Sequence, residues 1–165
     1  MPIQKQKLPL LQKLFLAETD EDHGLTLSEI AQELARQGVT AERKSLYDDI
    51  DTLRECGMDI IRSRRDGHTC YFIGERDFQL PELKLLVDAV QASRFITRNK
   101  SEQLIRKLEQ LTSRHLAKQL QRSVYVYGRV KTTNERIYLN VDTIHNAIAQ
   151  QRKVAFRYFR YGLDR

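Results

Sequence analysis

The chain has 165 residues, of which 41% are hydrophobic, and its formal net charge is +6 at pH 7. This length allows one domain or two small ones, and the apolar content is enough for a hydrophobic core. No apolar run approaches the length of a bilayer span, which argues against a membrane-spanning helix. No N-terminal segment has the residue order of a secretory signal, so we expect a cytoplasmic protein.

The positive charge is unevenly distributed along the chain. Residues 1–74 contain 10 Lys and Arg against 13 Asp and Glu, a net charge of −3, whereas residues 75–165 contain 18 against 9, a net charge of +9. The basic second part can attract a nucleic acid or another anionic ligand. In the first part, the local charge at a contact surface matters more than the sum.

The first predicted helix begins at about residue 8 or 9 and ends at about residue 17. Leu8, Leu11, Leu14 and Phe15 recur at helical spacing, and Pro9 is tolerated in a first helical turn. Residues 18–24 (ETDEDHG) are polar and predict a loop.

The second predicted helix starts after Thr26. Thr26 and Glu29 have the spacing of a capping box, in which each side chain accepts a hydrogen bond from the backbone amide of the other residue. An apolar stripe follows, and Gly38 is placed to end the helix because glycine adopts left-handed backbone angles readily. The stripe consists of Leu27, Ile30, Ala31 and Leu34.

The third predicted helix is capped by Thr40 and ended by Gly57. Leu46, Ile50 and Leu53 recur at intervals of four and three, which indicates a buried stripe. Only one apolar residue, Val39, lies between Gly38 and Thr40, so we expect a tight turn between the two helices.

A β-hairpin is predicted next. Residues 60–61 and 69–73 are rich in branched and aromatic side chains, as strands are. Asp66-Gly67 between them is a strong signal for a two-residue hairpin turn.

Two helices with a tight turn, followed by a hairpin, are typical of a winged helix-turn-helix, which places its second helix in the major groove of DNA. We predict that Arg43 reads a base, since arginine can bond a guanine edge with two hydrogen bonds. Glu42 is interpreted as a first-turn acid favoured by the helix dipole or, less simply, as an acceptor for a cytosine amino group. The predicted DNA-binding residues of this helix, most of them expected to contact the phosphate backbone, are Thr40, Arg43, Lys44, Ser45 and Tyr47.

The hairpin would be the wing of this fold. Its basic residues predict contacts with phosphates or with the minor groove, although a charged, solvated hairpin tip is the simpler alternative. These residues are Arg62, Arg64, Arg65 and His68.

The middle of the chain predicts a helical hairpin. After a connector at residues 75–79, one helix begins at Pro81 and runs to about Thr97. A second long helix is capped by Ser101 and carries an apolar stripe on one face. We expect each helix to bury part of its stripe on the other and the remainder on a second chain, although such stripes are often plain core. The second stripe is Leu104, Ile105, Leu108 and Leu111, followed by Leu116 and Leu120.

Three further segments are predicted near the end of the chain. Residues 123–131 (SVYVYGRVK) are expected to be a strand or an extended linker, and residues 137–148 a helix. Residues 153–161 (KVAFRYFRY) alternate apolar and basic side chains as a strand does. An unpaired aromatic strand invites pairing, so we expect either a truncated domain or pairing in a dimer.

In its order of features the chain resembles the bacterial WYL-domain transcriptional regulators, which are related to the DeoR-like group. The matching segments are residues 27–60 (LSEIAQELARQGVTAERKSLYDDIDTLRECGMDI) and residues 144–161 (IHNAIAQQRKVAFRYFRY), the latter with the V-x-F-x-Y pattern of a WYL strand. The resemblance implies a DNA-binding homodimer with a sensor domain for a nucleotide or nucleic-acid effector. The family's ligand residues have no counterparts here, so we expect either a fragment or a lost sensing function.

The sequence therefore predicts a mostly α, α+β protein in three parts. These are a winged helix-turn-helix DNA-binding domain (1–76), a helical linker and dimerisation region (77–123) and an incomplete WYL-type sensor domain (124–165). The expected partners are double-stranded DNA and a second copy of the chain.

Two other classes of function are alternatives to DNA binding. Winged helices also serve as protein-interaction modules, and the net charge of −3 in the first part permits this alternative. For an enzyme the chain lacks a phosphate-binding loop, a nucleophile elbow and a metal-ligand pattern. We predict no catalytic residue, no metal and no cofactor, and we expect Cys56 and Cys70 to be free thiols.

Overall fold

The computed structural model describes residues 6–123, 131–134 and 136–157. They form a mostly helical α+β structure with a small antiparallel sheet. The described elements are, in chain order, α1 (Lys7–Glu18), β1 (Leu25–Thr26), α2 (Leu27–Arg36), α3 (Arg43–Glu55), β2 (Ile60–Arg65), β3 (His68–Ile73), α4 (Leu80–Ala92), α5 (Arg98–Glu109), α6 (Arg114–Ser123) and α7 (Ile137–Ala149). None of these helices combines the length and the apolar character that crossing a bilayer requires.

Residues 7–73, here called the N-terminal unit, share one hydrophobic core. Helices α1, α2 and α3 pack against each other and against the sheet, and all three predicted helices are confirmed. Burial of these side chains removes apolar surface from water, the main stabilising term of a fold of this size. The largest fully buried ones are Leu11, Phe15, Ile30, Leu34, Leu46, Ile50 and Tyr71.

The start of α2 has the predicted capping box. The Glu29 amide donates to Thr26 Oγ1 at 3.3 Å, and the Thr26 amide donates to Glu29 Oε2 at 2.7 Å. After the helix, Gly38 has a φ of +80°, the left-handed conformation expected beyond a C-terminus. Leu25 and Thr26 also pair with Tyr71 and Cys70 as a third strand, which the sequence analysis did not predict.

The predicted cap of α3 was wrong. Thr40 lies outside the helix, and the N-cap is Glu42, whose extended backbone makes no side-chain cap hydrogen bond. Val39 is buried and Ala41 packs against the core, so the chain stays extended until both are in place. The first helical hydrogen bond therefore runs from the Leu46 amide to the Glu42 carbonyl.

The β2–β3 hairpin is confirmed, with the two-residue turn at Asp66 and Gly67. Their φ angles of +48° and +79° are both positive, as a type I′ turn requires. Strand β3 is central in the order β1-β3-β2 and presents Tyr71 and Ile73 to the core.

The middle of the chain forms three helices, where two were predicted. Helix α4 ends at Ala92 instead of Thr97, because Thr97 caps the next helix by accepting a hydrogen bond from the Lys100 amide. Ser101, the predicted cap, lies inside α5 and donates to the Thr97 carbonyl.

The second predicted helix is divided at residues 110–113. Ser113 Oγ accepts a hydrogen bond from the Leu116 amide at 3.1 Å and so starts a separate helix, α6. Helices α4, α5 and α6, here called the α4–α6 unit, enclose a second small core of Leu83, Val87, Ile105 and Leu120.

Helix α7 confirms the prediction for residues 137–148, but the strand predicted at residues 153–161 is not formed where it can be observed. Residues 152–157 have irregular backbone, and no strand of the described residues lies beside them to pair with. Residues 158–161, and most of the predicted strand or linker at residues 123–131, lie outside the described residues.

Candidate nucleic-acid interface

An open cleft of about 880 Å³ lies where three elements of the N-terminal unit meet. The start of α2, the first two turns of α3 and the turn of the β2–β3 hairpin line it. It thus brings together Arg43 and Tyr47 of α3 and His68 of the hairpin, three of the predicted DNA-binding residues.

The helical repeat of α3 explains which of its side chains reach the cleft. With 3.6 residues per turn, the buried Leu46, Ile50 and Leu53 define the inner face. Arg43 and Tyr47 are four residues apart and share the flank next to the hairpin. Lys44 is exposed and follows Arg43 by about 100° around the axis, so it points outward from the core.

Ser45 lies on the other flank of α3. Its hydroxyl accepts a hydrogen bond from Lys7 Nζ at the start of α1, and Lys7 Nζ also lies 2.6 Å from Asp49 Oδ2. The structure therefore turns Ser45 towards α1 and not towards the cleft. Thr40 is exposed, three residues before the helix, and does not line the cleft either.

Tyr47 lines the cleft and also interacts with Tyr71 of the central strand. A hydrogen bond from the Arg43 guanidinium, with the nearby charge of Arg62, lowers the pKa of the Tyr47 hydroxyl. Behind it lies Tyr71, only 2% exposed, and burial raises the pKa of its hydroxyl. The sequence pattern predicts Tyr71 within a strand but not at this site, because no local pattern shows which side chain of α3 a strand residue faces.

The four basic side chains of the hairpin do not form one cluster. Antiparallel pairing sets Arg62 opposite Tyr71 and Arg64 opposite Thr69, so these arginines share the face that continues into the cleft. Both are exposed, and they border a smaller groove of about 330 Å³ beside it.

Arg65 belongs to the opposite face of the hairpin, as does its strand partner His68 next to the turn. Arg65 is half-buried, and its guanidinium carbon lies 5.3 Å from the centre of the Phe72 ring, within cation–π distance. This contact gives Arg65 a partner inside the protein and sets it apart from the other two arginines.

The basic residues around the cleft are not neutralised by the protein. Across residues 6–123, no carboxylate forms an ion pair with these basic residues; on α2 and α3, Asp49 pairs with Lys7, Asp51 with Arg54 and Glu33 with Arg36. The first turn of α3 has no acidic residue, so the predicted first-turn position of Glu42 was wrong: Glu42 is the N-cap, and its side chain makes no cap hydrogen bond to the N-terminal amides. The surface is therefore suited to an anion. The basic residues without an ion pair here are Arg43, Lys44, Arg62 and Arg64.

The exposed face of α3 becomes acidic from Asp48, in the second turn, towards its C-terminal end. Asp48, Asp51 and Glu55 are all exposed, and Asp51 follows Arg43 by eight residues, about 12 Å along the axis at 1.5 Å per residue. Positive charge at this site is thus confined to the N-terminal end of the helix and to the hairpin.

No protein-family model, no curated protein and no solved structure matches the chain. Among the described side chains, no group of three or more His, Cys, Asp or Glu is placed to hold a metal ion.

Proposed function

We propose that this chain is a sequence-specific DNA-binding transcriptional regulator whose N-terminal unit acts as a winged helix-turn-helix. The observation that carries the proposal is the position of Arg43, which opens α3 at the cleft that the hairpin turn also lines. A duplex approaching this side would meet the end of the helix and the hairpin together. The major groove, about 12 Å wide, admits an α-helix.

The distribution of charge supports an end-on approach of α3. Only the first turn is basic, and the carboxylates of Asp48 and Asp51 would meet phosphates if the helix lay along the groove. In the proposed complex Arg43 contacts base edges and Lys44 a phosphate, while Arg62 and Arg64 contact the adjacent backbone or the minor groove.

We further propose that the protein binds as a homodimer of the WYL-regulator type. Exposed apolar side chains of the α4–α6 unit support a second chain as partner: Leu85 is 71% exposed and Leu86 38%. The effector of such a regulator, a nucleotide or nucleic acid, would bind at a complete WYL domain, and no ligand residue is assigned in this chain.

A binding assay with the purified full chain tests the DNA-binding proposal. We expect selection from random duplexes to give a single recurring site, bound at least about 1,000-fold more tightly than unrelated DNA at the same salt concentration. Failure to enrich any site, together with no binding to genomic fragments at low salt, would contradict the proposal.

The second candidate function is a protein-docking module, which the acidic surface of α3 favours. Asp48, Asp51 and Glu55 give this helix an exposed negative face that fits a basic protein better than DNA. The two functions make opposite predictions for charge reversal. Asp48→Lys strengthens binding to a duplex and weakens binding to a basic protein partner.

A further inference from the structure

A polar joint connects the N-terminal unit to the α4–α6 unit. Four buried polar side chains lie where the two units meet: Thr19, Asp20, Thr112 and Ser113. Asp20, only 4% exposed, accepts hydrogen bonds from the amides of Asp22 and His23, both at 3.0 Å. Across the joint its other carboxylate oxygen accepts a hydrogen bond from the Ser113 hydroxyl.

Two histidines from the two units are stacked at this joint. The ring of His23, in the loop after α1, lies parallel to the ring of His115 in α6, with centres 3.7 Å apart and planes inclined by 3°. His23 Nδ1 also lies 2.6 Å from Asp20 Oδ1. One carboxylate therefore contacts the pair, and it can compensate one positive charge there but not two.

The same loop holds the base of the hairpin. Thr19 Oγ1 donates to the Phe15 carbonyl at 2.7 Å and accepts from the amide of Ile73, the last residue of β3, at 3.1 Å. Arg76 donates to the Thr19 carbonyl at 2.6 Å. The loop that carries His23 is thus hydrogen-bonded at Thr19 to α1, to β3 and to the connector before α4.

The charged groups around the rings do not offset the electrostatic repulsion between two protonated histidines. Arg114 of α6 is paired with Glu18 of α1 at 2.7 Å, and Arg76 of the connector faces Asp20. Asp20 is the one acid shown in contact with the pair, because Glu18 is paired with Arg114 and the neighbouring Glu21 and Asp22 are exposed to solvent.

We propose that the stacked pair of His23 and His115 is a pH-sensitive joint, which holds the two units together when His115 is neutral and loosens them when both rings are protonated. The inference concerns the contact between the units and does not depend on the proposed function. Parallel stacking at this distance suits neutral imidazoles, whereas two imidazolium ions repel each other.

The direction of the effect follows from the protonation equilibria. Burial, followed by the charge of His23, lowers the pKa of His115 below its usual value of 6.5. A histidine with a lowered pKa stabilises the closed joint fully above 6.5, and this contribution is lost as the pH falls through the lowered pKa. For Asp20, burial alone would raise the pKa, but hydrogen bonds from Ser113 and His23 bring it below 3.8, so its contribution is lost only in stronger acid.

Hydrogen exchange of the full chain tests the joint. Peptides covering residues 19–24 and 112–118 are compared at about pH 7.5 and about pH 4.5, which is still above the pKa of Asp20, with correction for the intrinsic exchange rate. We expect several-fold lower protection at the acidic pH, with an upper limit of about tenfold per pH unit for uptake of one proton. Protection that is unchanged between the two pH values would overturn the proposal.

His115→Phe keeps a flat ring and removes the titrating group. It should stay protected at both pH values, whereas the control His145→Phe, at an exposed position of α7, should keep the pH dependence of the unchanged chain. Loss of protection at the same pH in His115→Phe would contradict the assignment. If that variant does not fold, NMR titration of the histidine rings decides: the proposal requires His115 to titrate below 6.5 and the two rings to affect each other's curves.

Discussion

Arg64 and Arg65 are neighbours in the sequence but lie on opposite faces of the β2–β3 hairpin. Arg64 is paired with Thr69 and borders the smaller groove of the hairpin, whereas the guanidinium of Arg65 lies over the Phe72 ring. The difference follows from strand geometry, which turns successive side chains to opposite sides. Replacing Arg64 or Arg65 by Ala is therefore the same chemical change on opposite faces, and we expect the two variants to behave differently.

Arg64→Ala should weaken binding to all DNA sequences and reduce the salt dependence. Loss of one phosphate contact lowers the slope of log affinity against log salt by about 0.9. Arg65→Ala is the matched control: we expect an unchanged slope and a loss of about 0.5–1 kcal/mol of folding stability from the missing cation–π contact. Fluorescence anisotropy over a salt series measures the slope. Equal slopes for Arg64→Ala and the unchanged chain would contradict the proposed contact.

Arg43→Ala should relax the choice of one base pair. A bidentate contact to a guanine edge contributes about 1–3 kcal/mol of discrimination, so the variant should lose affinity for the selected site and tolerate substitution at one position. Competition binding with all single-base variants of the site measures this. Lys44→Ala should lower affinity uniformly, and Ser45→Ala should change little because Ser45 faces Lys7. A uniform loss for Arg43→Ala would identify Arg43 as a phosphate contact.

Thr26→Ala should destabilise the N-terminal unit by about 0.5–2 kcal/mol. The substitution removes the hydroxyl that caps the Glu29 amide and ends the reciprocal contact of the capping box. Urea denaturation followed by circular dichroism measures the loss. Thr40→Ala is the control, since Thr40 caps no helix and is exposed. We expect it to change stability by less than about 0.5 kcal/mol.

Leu85→Glu should separate the proposed dimer. It places a charge on the most exposed leucine of α4, where association would bury it at a high cost. We expect the unchanged chain to sediment as a dimer and this variant as a monomer at micromolar concentration. Leu139→Glu, at a leucine of α7 that is 52% exposed, makes the same change of charge outside the α4–α6 unit and should remain dimeric. A monomeric unchanged chain at high micromolar concentration would contradict the dimer.

Features that depend on neighbouring residues were predictable. The capping box of Thr26 and Glu29 needs only a spacing of three, and the turn at Asp66-Gly67 needs only two residues that accept positive φ. The buried stripe of α3 follows from the helical repeat alone. Each feature depends on contacts within one or two helical turns or one hairpin, so it can be predicted from a short segment of sequence.

The first residues of the helices were less predictable than their inner faces. Thr40 and Ser101 were both suitable caps by type, yet Glu42 and Thr97 occupy those positions. At α3 the reason is tertiary, since burial of Val39 and packing of Ala41 keep the chain extended past Thr40. A cap signal gives a helix start within a few residues, and packing decides among them.

The sequence by itself determined the order of the elements, the inner faces of the helices and the set of basic residues available to an anion. Only the tertiary structure decided which of those residues act together: Arg43 and Tyr47 share a cleft with the hairpin turn, Ser45 is held by Lys7, and the ring of His23 meets that of His115. The physical reason is the distance along the chain over which each interaction acts. Propensity, capping and alternation act over a few residues, whereas Lys7 and Ser45 are 38 residues apart and meet only because their helices bury a common core.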